Sequence, residues 1–230
     1  GENSHAKIDG PPQINSNQSF TYKFDVKIDD FSDNEAWGAY IIDRYSVNGL
    51  FGDFDLGFFA DAENSENLNR LHAQLNFTNA NYPLNSIEEP SLNEWMHISI
   101  IWDDESNLFS FYINDVIQDS VYVDNFTFQN PSPIKIGQHY YDNSSSASGL
   151  IDNFSIWSIN INPNQILDSI YIYPDVNNPD LVHYYPFDEG SGGVIYDHSQ
   201  NGNHGTIHGA TWIFEGCMDP FADNYNEEAN

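Results

Sequence analysis

The run Asp197-His198-Ser199-Gln200-Asn201-Gly202-Asn203 has oxygen-bearing side chains at its first, third and fifth positions and glycine at its sixth. Alternate side chains and one backbone carbonyl can then turn inward on a hard cation, as at the start of an EF-hand-type loop. Its twelfth position is His208, not a bidentate glutamate. The loop is therefore no EF-hand, and another segment has to add carboxylate. Asp152 is one candidate: in Leu150-Ile151-Asp152-Asn153-Phe154-Ser155-Ile156 it shares parity with apolar residues. An acid on a buried face has to be paired, hydrogen-bonded or metal-bound. Asp188, beside Glu189, is a further donor. The expected ligands of a structural Ca2+ are thus Asp197, Ser199, Asn201, Asn203, Asp152 and Asp188. The competing reading of 197–203 is a hydrogen-bonded Asn/Gly turn. His183 and His208 could also ligate, although solvated or capping roles are commoner for such histidines.

A second chemistry is the stacking of aromatic faces on pyranose C–H groups among planar polar side chains. Two loops carry the residue types for it, Asp43-Arg44-Tyr45 and Gln138-His139-Tyr140-Tyr141-Asp142. The expected ligand-binding residues are Arg44, Tyr45, Gln138, His139, Tyr140, Tyr141 and Asp142. Ordinary loop packing would use the same residues. Trp95, Trp102 and Trp157 are expected in the core. No catalytic residue is expected. Glu88-Glu89 and Glu227-Glu228 are adjacent pairs whose side chains leave opposite sides of the backbone, and the single cysteine, Cys217, sits near the end of the sequence.

The elements that must position these residues are strands. From Phe20 to Ile28 every second residue is apolar, with Thr21, Lys23, Asp25 and Lys27 between. Met96, Ile98, Ile100 and Trp102 share a face, the turn 103–107 follows, and Phe109, Phe111 and Ile113 alternate with polar neighbours. This period of two, bounded by turn residues, is that of an antiparallel hairpin. Similar patterns predict strands at 39–43, 53–58 and 71–77. Only 162–171, with Pro163 near its start and Ile166, Leu167 and Ile170 at helical spacing, predicts a short helix. The reading is an all-β sandwich.

The residues Trp95-x-His97, Trp102-Asp103, Phe111-Tyr112-Ile113-Asn114-Asp115, Ile134-Lys135-Ile136-Gly137 and Gly149-Leu-Ile-Asp152-Asn153-x-x-Ile-Trp157 resemble the laminin-G-like branch of the concanavalin A-like lectin/glucanase fold. That family carries Asn-Gly where this chain has Asn114-Asp115, and Asp also tolerates a left-handed turn. The resemblance implies a two-sheet antiparallel jelly-roll sandwich, often with a structural Ca2+. The related glucanases use a Glu-x-Asp-x-(x)-Glu strand motif as nucleophile and acid/base, and this sequence has none.

Residues 181–212 resemble the family's opening strands, which residues 1–20 lack. Either a second domain begins at Leu181, or the segment folds back as a circular permutation. The second is favoured, since about thirty residues bury no apolar face alone and the first domain would keep an open edge. The expected organisation is one jelly roll over 1–215, with 181–215 supplying the opening strands. The segment 216–230 resembles the start of a Cys-containing repeat of secreted bacterial surface proteins. The partner of Cys217 is then expected beyond Asn230, in neighbouring domains of a longer chain.

Six basic against thirty-five acidic residues among 230 give a formal charge of −29. Such a surface repels nucleic acid and anionic membrane, and no apolar run reaches the length of a membrane span. Neither nucleic-acid binding nor membrane insertion is expected. What remains is a non-catalytic, secreted or cell-surface module binding a glycan or another surface ligand. The alternative is a structural or protein–protein spacer domain. A glycosidase or polysaccharide lyase ranks last.

Overall fold

The structure, a computed structural model, describes residues 4–10, 18–30, 39–44, 54–59, 70–76, 81–124, 133–138, 148–161 and 174–213. Its elements are strands: β1 His5–Ile8, β2 Phe20–Asp30, β3 Ala39–Arg44, β4 Phe54–Phe59, β5 Arg70–Asn76, β6 Asn81–Asn85 and β7 Trp95–Asp103. They continue with β8 Leu108–Ile113, β9 Val116–Tyr122, β10 Ile134–Ile136, β11 Ser148–Trp157, β12 Leu181–Tyr185, β13 Val194–Ile195 and β14 Gly205–His208. No helix lies among the described residues. The short helix expected over 162–171 and the segment 216–230 lie outside them.

The strands form two antiparallel sheets. One has eight strands in the order β13-β14-β1-β10-β3-β4-β5-β6, the other six in the order β12-β11-β2-β7-β8-β9. One core fills the space between them, with Phe20, Tyr22, Phe24, Val26 and Ile28 of β2 facing Ile42, Leu71, Leu75 and Ile134 of the larger sheet. The alternation seen along β2 and β7 is what this arrangement demands, because each strand has one face to bury. Trp102 and Trp157 are buried as expected, but Trp95 is not: it is 40% exposed. It pairs across from Lys27, on the face opposite Val26 and Met96, so the alternation itself turns it outward.

The hairpin between β8 and β9 closes on Asn114 and Asp115, both with φ in the left-handed region, +50° and +62°. Two such residues make the turn whose twist matches that of antiparallel strands, and Asp115 holds the position usual for glycine. In the smaller sheet β12 pairs with β11, and in the larger β14 pairs with β1, so residues 181–208 add strands to both sheets.

Candidate functional site

Asp197 follows β13 directly, and its buried carboxylate is already occupied. Oδ1 accepts the backbone N–H groups of Tyr184 at 3.1 Å and Ser199 at 2.9 Å, and Oδ2 accepts that of Asn203 at 3.0 Å. Ser199 Oγ donates to the carbonyl of Val182 at 2.9 Å. Asn201 Nδ2 donates to the carbonyls of Val182 at 2.9 Å and Leu181 at 3.3 Å. Burial alone would push the Asp197 carboxyl up. The hydrogen bonds from Ser199, Tyr184 and Asn203 outweigh it and hold the group below its ordinary value.

These residues do not fit a Ca2+ site. The carboxylate faces backbone donors, and Asn201 turns its NH2 group, not its oxygen, into the loop. Asp152 and Asp188 are not drawn to Asp197 but line a separate cleft. Among the described residues, no three His, Cys, Asp or Glu side chains are grouped to hold a metal. The loop 197–203 is instead a hydrogen-bonded turn that fastens β12, the competing reading of its Asn/Gly pattern.

Beside it lies a buried polar chain. The Tyr185 hydroxyl donates to the carbonyl of Asn203 at 2.5 Å, so it can only accept from His183 Nδ1, 3.1 Å away. That assigns a hydrogen to Nδ1. Asp197 Oδ2 is 3.8 Å from the same nitrogen, beyond a hydrogen bond. Its charge favours the imidazolium, but burial is the larger effect, and together with the Arg44 charge it holds His183 down to about 4. His183 is thus a core histidine. His208 lies at the surface with its ring stacked on that of His5, centroids 4.8 Å apart.

Two residues expected in sugar-binding loops are buried. Arg44 is 2% exposed, and its Nη1 donates to the Tyr22 hydroxyl across the two sheets at 3.3 Å. Gln138 is fully buried and accepts from Lys135 Nζ at 3.3 Å. Neither is presented at the surface. The cause is the alternation: Arg44 continues the β3 strand instead of beginning a loop. Tyr45, His139, Tyr140, Tyr141 and Asp142 lie outside the described residues.

Among the described residues, a cleft of about 480 Å3 presents aromatic and polar groups together, within the range of small-ligand sites. Ala6, Ile195 and Ile207 of the larger sheet line it, together with Gly149 to Asp152 of β11. Phe187, Asp188, the segment 210–213 with Trp212, and Trp95 complete the described lining. β12 pairs only with Phe154–Trp157, so Leu150–Asp152 have a described partner strand on the β2 side alone.

Asp152 reaches the cleft through a bulge. Asp152 is opposite Asp25 and Ser155 opposite Lys23, which leaves one extra residue between them, and Asn153 there has φ +51°. The bulge reverses parity. Ile151 is therefore packed against the core, while Asp152 is paired with the polar residue Asp25 and is not on the apolar face expected for it. Its Oδ1 accepts the N–H of Asn153 at 2.9 Å, and Asn153 Nδ2 donates to Asp25 Oδ2 at 3.0 Å. Trp212 is held by its own donor: Nε1–H reaches the carbonyl of Gly192 at 3.1 Å. The sequence reading missed Trp95, Phe187 and Trp212 as site residues. Only Trp95 had a signal, its place among the polar residues of an alternating strand.

The fold is shared with solved structures at low sequence identity. A candidate carbohydrate-binding protein from Bacteroides ovatus superposes with a TM-score of 0.69 at 20% identity, covering 90% of this chain. The chain spans 57% of that protein's length. A heptameric SAP-like pentraxin from Limulus polyphemus superposes with a TM-score of 0.56 at 16% identity, over 75% of this chain and 79% of its own. Domain 4 of an extracellular GH43 arabinanase from Geobacillus stearothermophilus, solved with arabinotriose, gives 0.50 at 17% identity, over 70% and 71%. A comparison with curated proteins found no match. A laminin-G family model, described as the concanavalin A-like lectin/glucanases superfamily, matches residues 1–167, well over half of the chain. This chain belongs to the concanavalin A-like lectin/glucanases superfamily.

Proposed function

We propose that the chain is a non-catalytic carbohydrate-binding module of a secreted or cell-surface protein, with its glycan site in the 480 Å3 cleft. The observation that carries this reading is the composition of that cleft. Trp95 and Trp212 line it together with Asp152 and Asp188, and the other lining side chains are apolar apart from Thr211. Sugars are bound in this way, with C–H faces on an indole and hydroxyls on planar acceptors. The fold neighbours from Bacteroides ovatus and Geobacillus stearothermophilus agree with it. Among the described residues no helix is long and apolar enough to cross a membrane.

A glycan array followed by calorimetry on each hit tests the reading. Trp95→Ala and Trp212→Ala should each weaken binding roughly tenfold or more while the fold, checked by melting, persists. If no glycan binds, or both variants bind like the parent, the site is wrong. A second reading, a protein–protein spacer, draws on the edge strand β9, where Val116, Ile117 and Tyr122 are exposed and an unpaired edge can take a neighbour. Released reducing ends from any polysaccharide would contradict the non-catalytic assignment.

A further inference from the structure

Resting on the carbohydrate-binding reading, we infer that the cleft takes uncharged sugars and rejects anionic ones, meaning uronic, sialic and sulfated residues. Among the described residues, its ionisable lining side chains are Asp152 and Asp188, and no Lys, Arg or His lines it. The rest of the wall is Gly, Ala, Ile, Leu, Phe, Trp and one threonine, Thr211. Lys27 has its Nζ 5.4 Å from the centroid of the Trp95 ring and is not among the residues that line the cleft.

An uncharged pyranoside has hydroxyl donors to offer, and a carboxylate accepts such donors strongly. A uronate or sulfate brings a like charge into the same concave, partly apolar space, where Lys27 is nearby beside Trp95 but no cation is among the described lining residues. Low-dielectric walls and concave shape both concentrate the field of the two aspartates. The background is acidic as well, thirty-five acidic against six basic residues over the whole chain. Discrimination therefore comes from what the site repels more than from what it attracts.

The test uses the whole chain and matched polysaccharide pairs that differ in charge: galactan with polygalacturonan, mannan with polymannuronate, and xylan with glucuronoxylan. Affinity electrophoresis and calorimetry at low ionic strength should give binding to at least one uncharged member, with its anionic counterpart weaker by about tenfold or more. The double variant Asp152→Asn/Asp188→Asn should narrow that gap, because it keeps shape and removes charge. A second double variant, Glu88→Gln/Glu105→Gln, removes the same charge from exposed turns outside the cleft. It should leave the gap unchanged.

An anionic member bound as tightly as its uncharged partner overturns the inference while leaving carbohydrate binding intact. A gap narrowed equally by both double variants also overturns it, by assigning rejection to the whole molecule and not to the cleft. Binding of no member of any pair overturns the carbohydrate reading and the inference with it.

Discussion

At the scale of single residues, the buried pair His183 and Asp197 makes the fold sensitive to acid. His183 is neutral in the folded protein, and its pKa is lowered from 6.5 to about 4 by burial first. The unfolded chain therefore binds its proton at higher pH than the native one does. The stabilisation is complete above pH ~6.5 and is lost as pH falls toward ~4, up to about 3 kcal/mol for this one group. Asp197, held below the ordinary carboxyl value of 3.8, contributes above that pH and loses its contribution below it. Urea unfolding measured across this range should show the falling limb, and His183→Gln should flatten it between pH ~6.5 and ~4. A limb that survives the substitution would place the responsible group elsewhere. For Asp197→Ala, three buried backbone N–H groups lose their acceptor, at a cost of about 2–5 kcal/mol. The loss should be the same with EDTA or with added Ca2+. A parent protein whose melting temperature rises with Ca2+, and a variant in which that rise vanishes, would restore the metal loop.

At the scale of elements, the alternation of β2, β7 and β8 was legible because each strand buries one face without interruption, and so was the left-handed turn at Asn114-Asp115. β11 was not fully legible. Its first half reads with one parity and its second with the other, and the switch rests on the single extra residue Asn153. A period of two carries no mark of where one residue has been added. The alternation alone therefore puts Asp152 on the wrong face. The same limit hid the site: Arg44 and Gln138 have the residue types of a sugar loop, but whether a polar side chain ends inside or outside depends on where its strand stops. At Asn153 a β-branched residue would be forced into the left-handed region and would also remove the amide that reaches Asp25. Asn153→Val is thus expected to cost about 1–3 kcal/mol and Asn153→Gly clearly less, read by chemical denaturation. Equal costs for the two would mean that the lost hydrogen bond, and not backbone strain, dominates at the bulge.

At the scale of the whole molecule, the family model ends at residue 167, yet both sheets take strands from beyond it. β12 is buried on both faces: Val182 and Tyr185 join the core between the sheets, while Leu181 and Tyr184 pack with Trp157 in a second cluster outside it. Ile195 of β13 closes the far edge of the core. The turn at 197–203 then ties this segment to β12 through Asp197, Ser199 and Asn201. Five such side chains, each worth about 1.5–3 kcal/mol when fully buried, amount to roughly 7–15 kcal/mol gross, an upper bound because unfolded chains are partly compact. Net stabilities of domains are of that same order, about 5–15 kcal/mol. Removing 181–213 would in addition strip β1 and β11 of their described partners β14 and β12, opening an edge in each sheet. The proposed permuted single unit therefore predicts that this deletion yields an unfolded or aggregated product, followed by size-exclusion chromatography and calorimetric melting. A truncated chain that stays monomeric and melts as cooperatively as the parent would mean that 181–213 begins a separate domain, and the cleft that it helps to line would then be no site of this one.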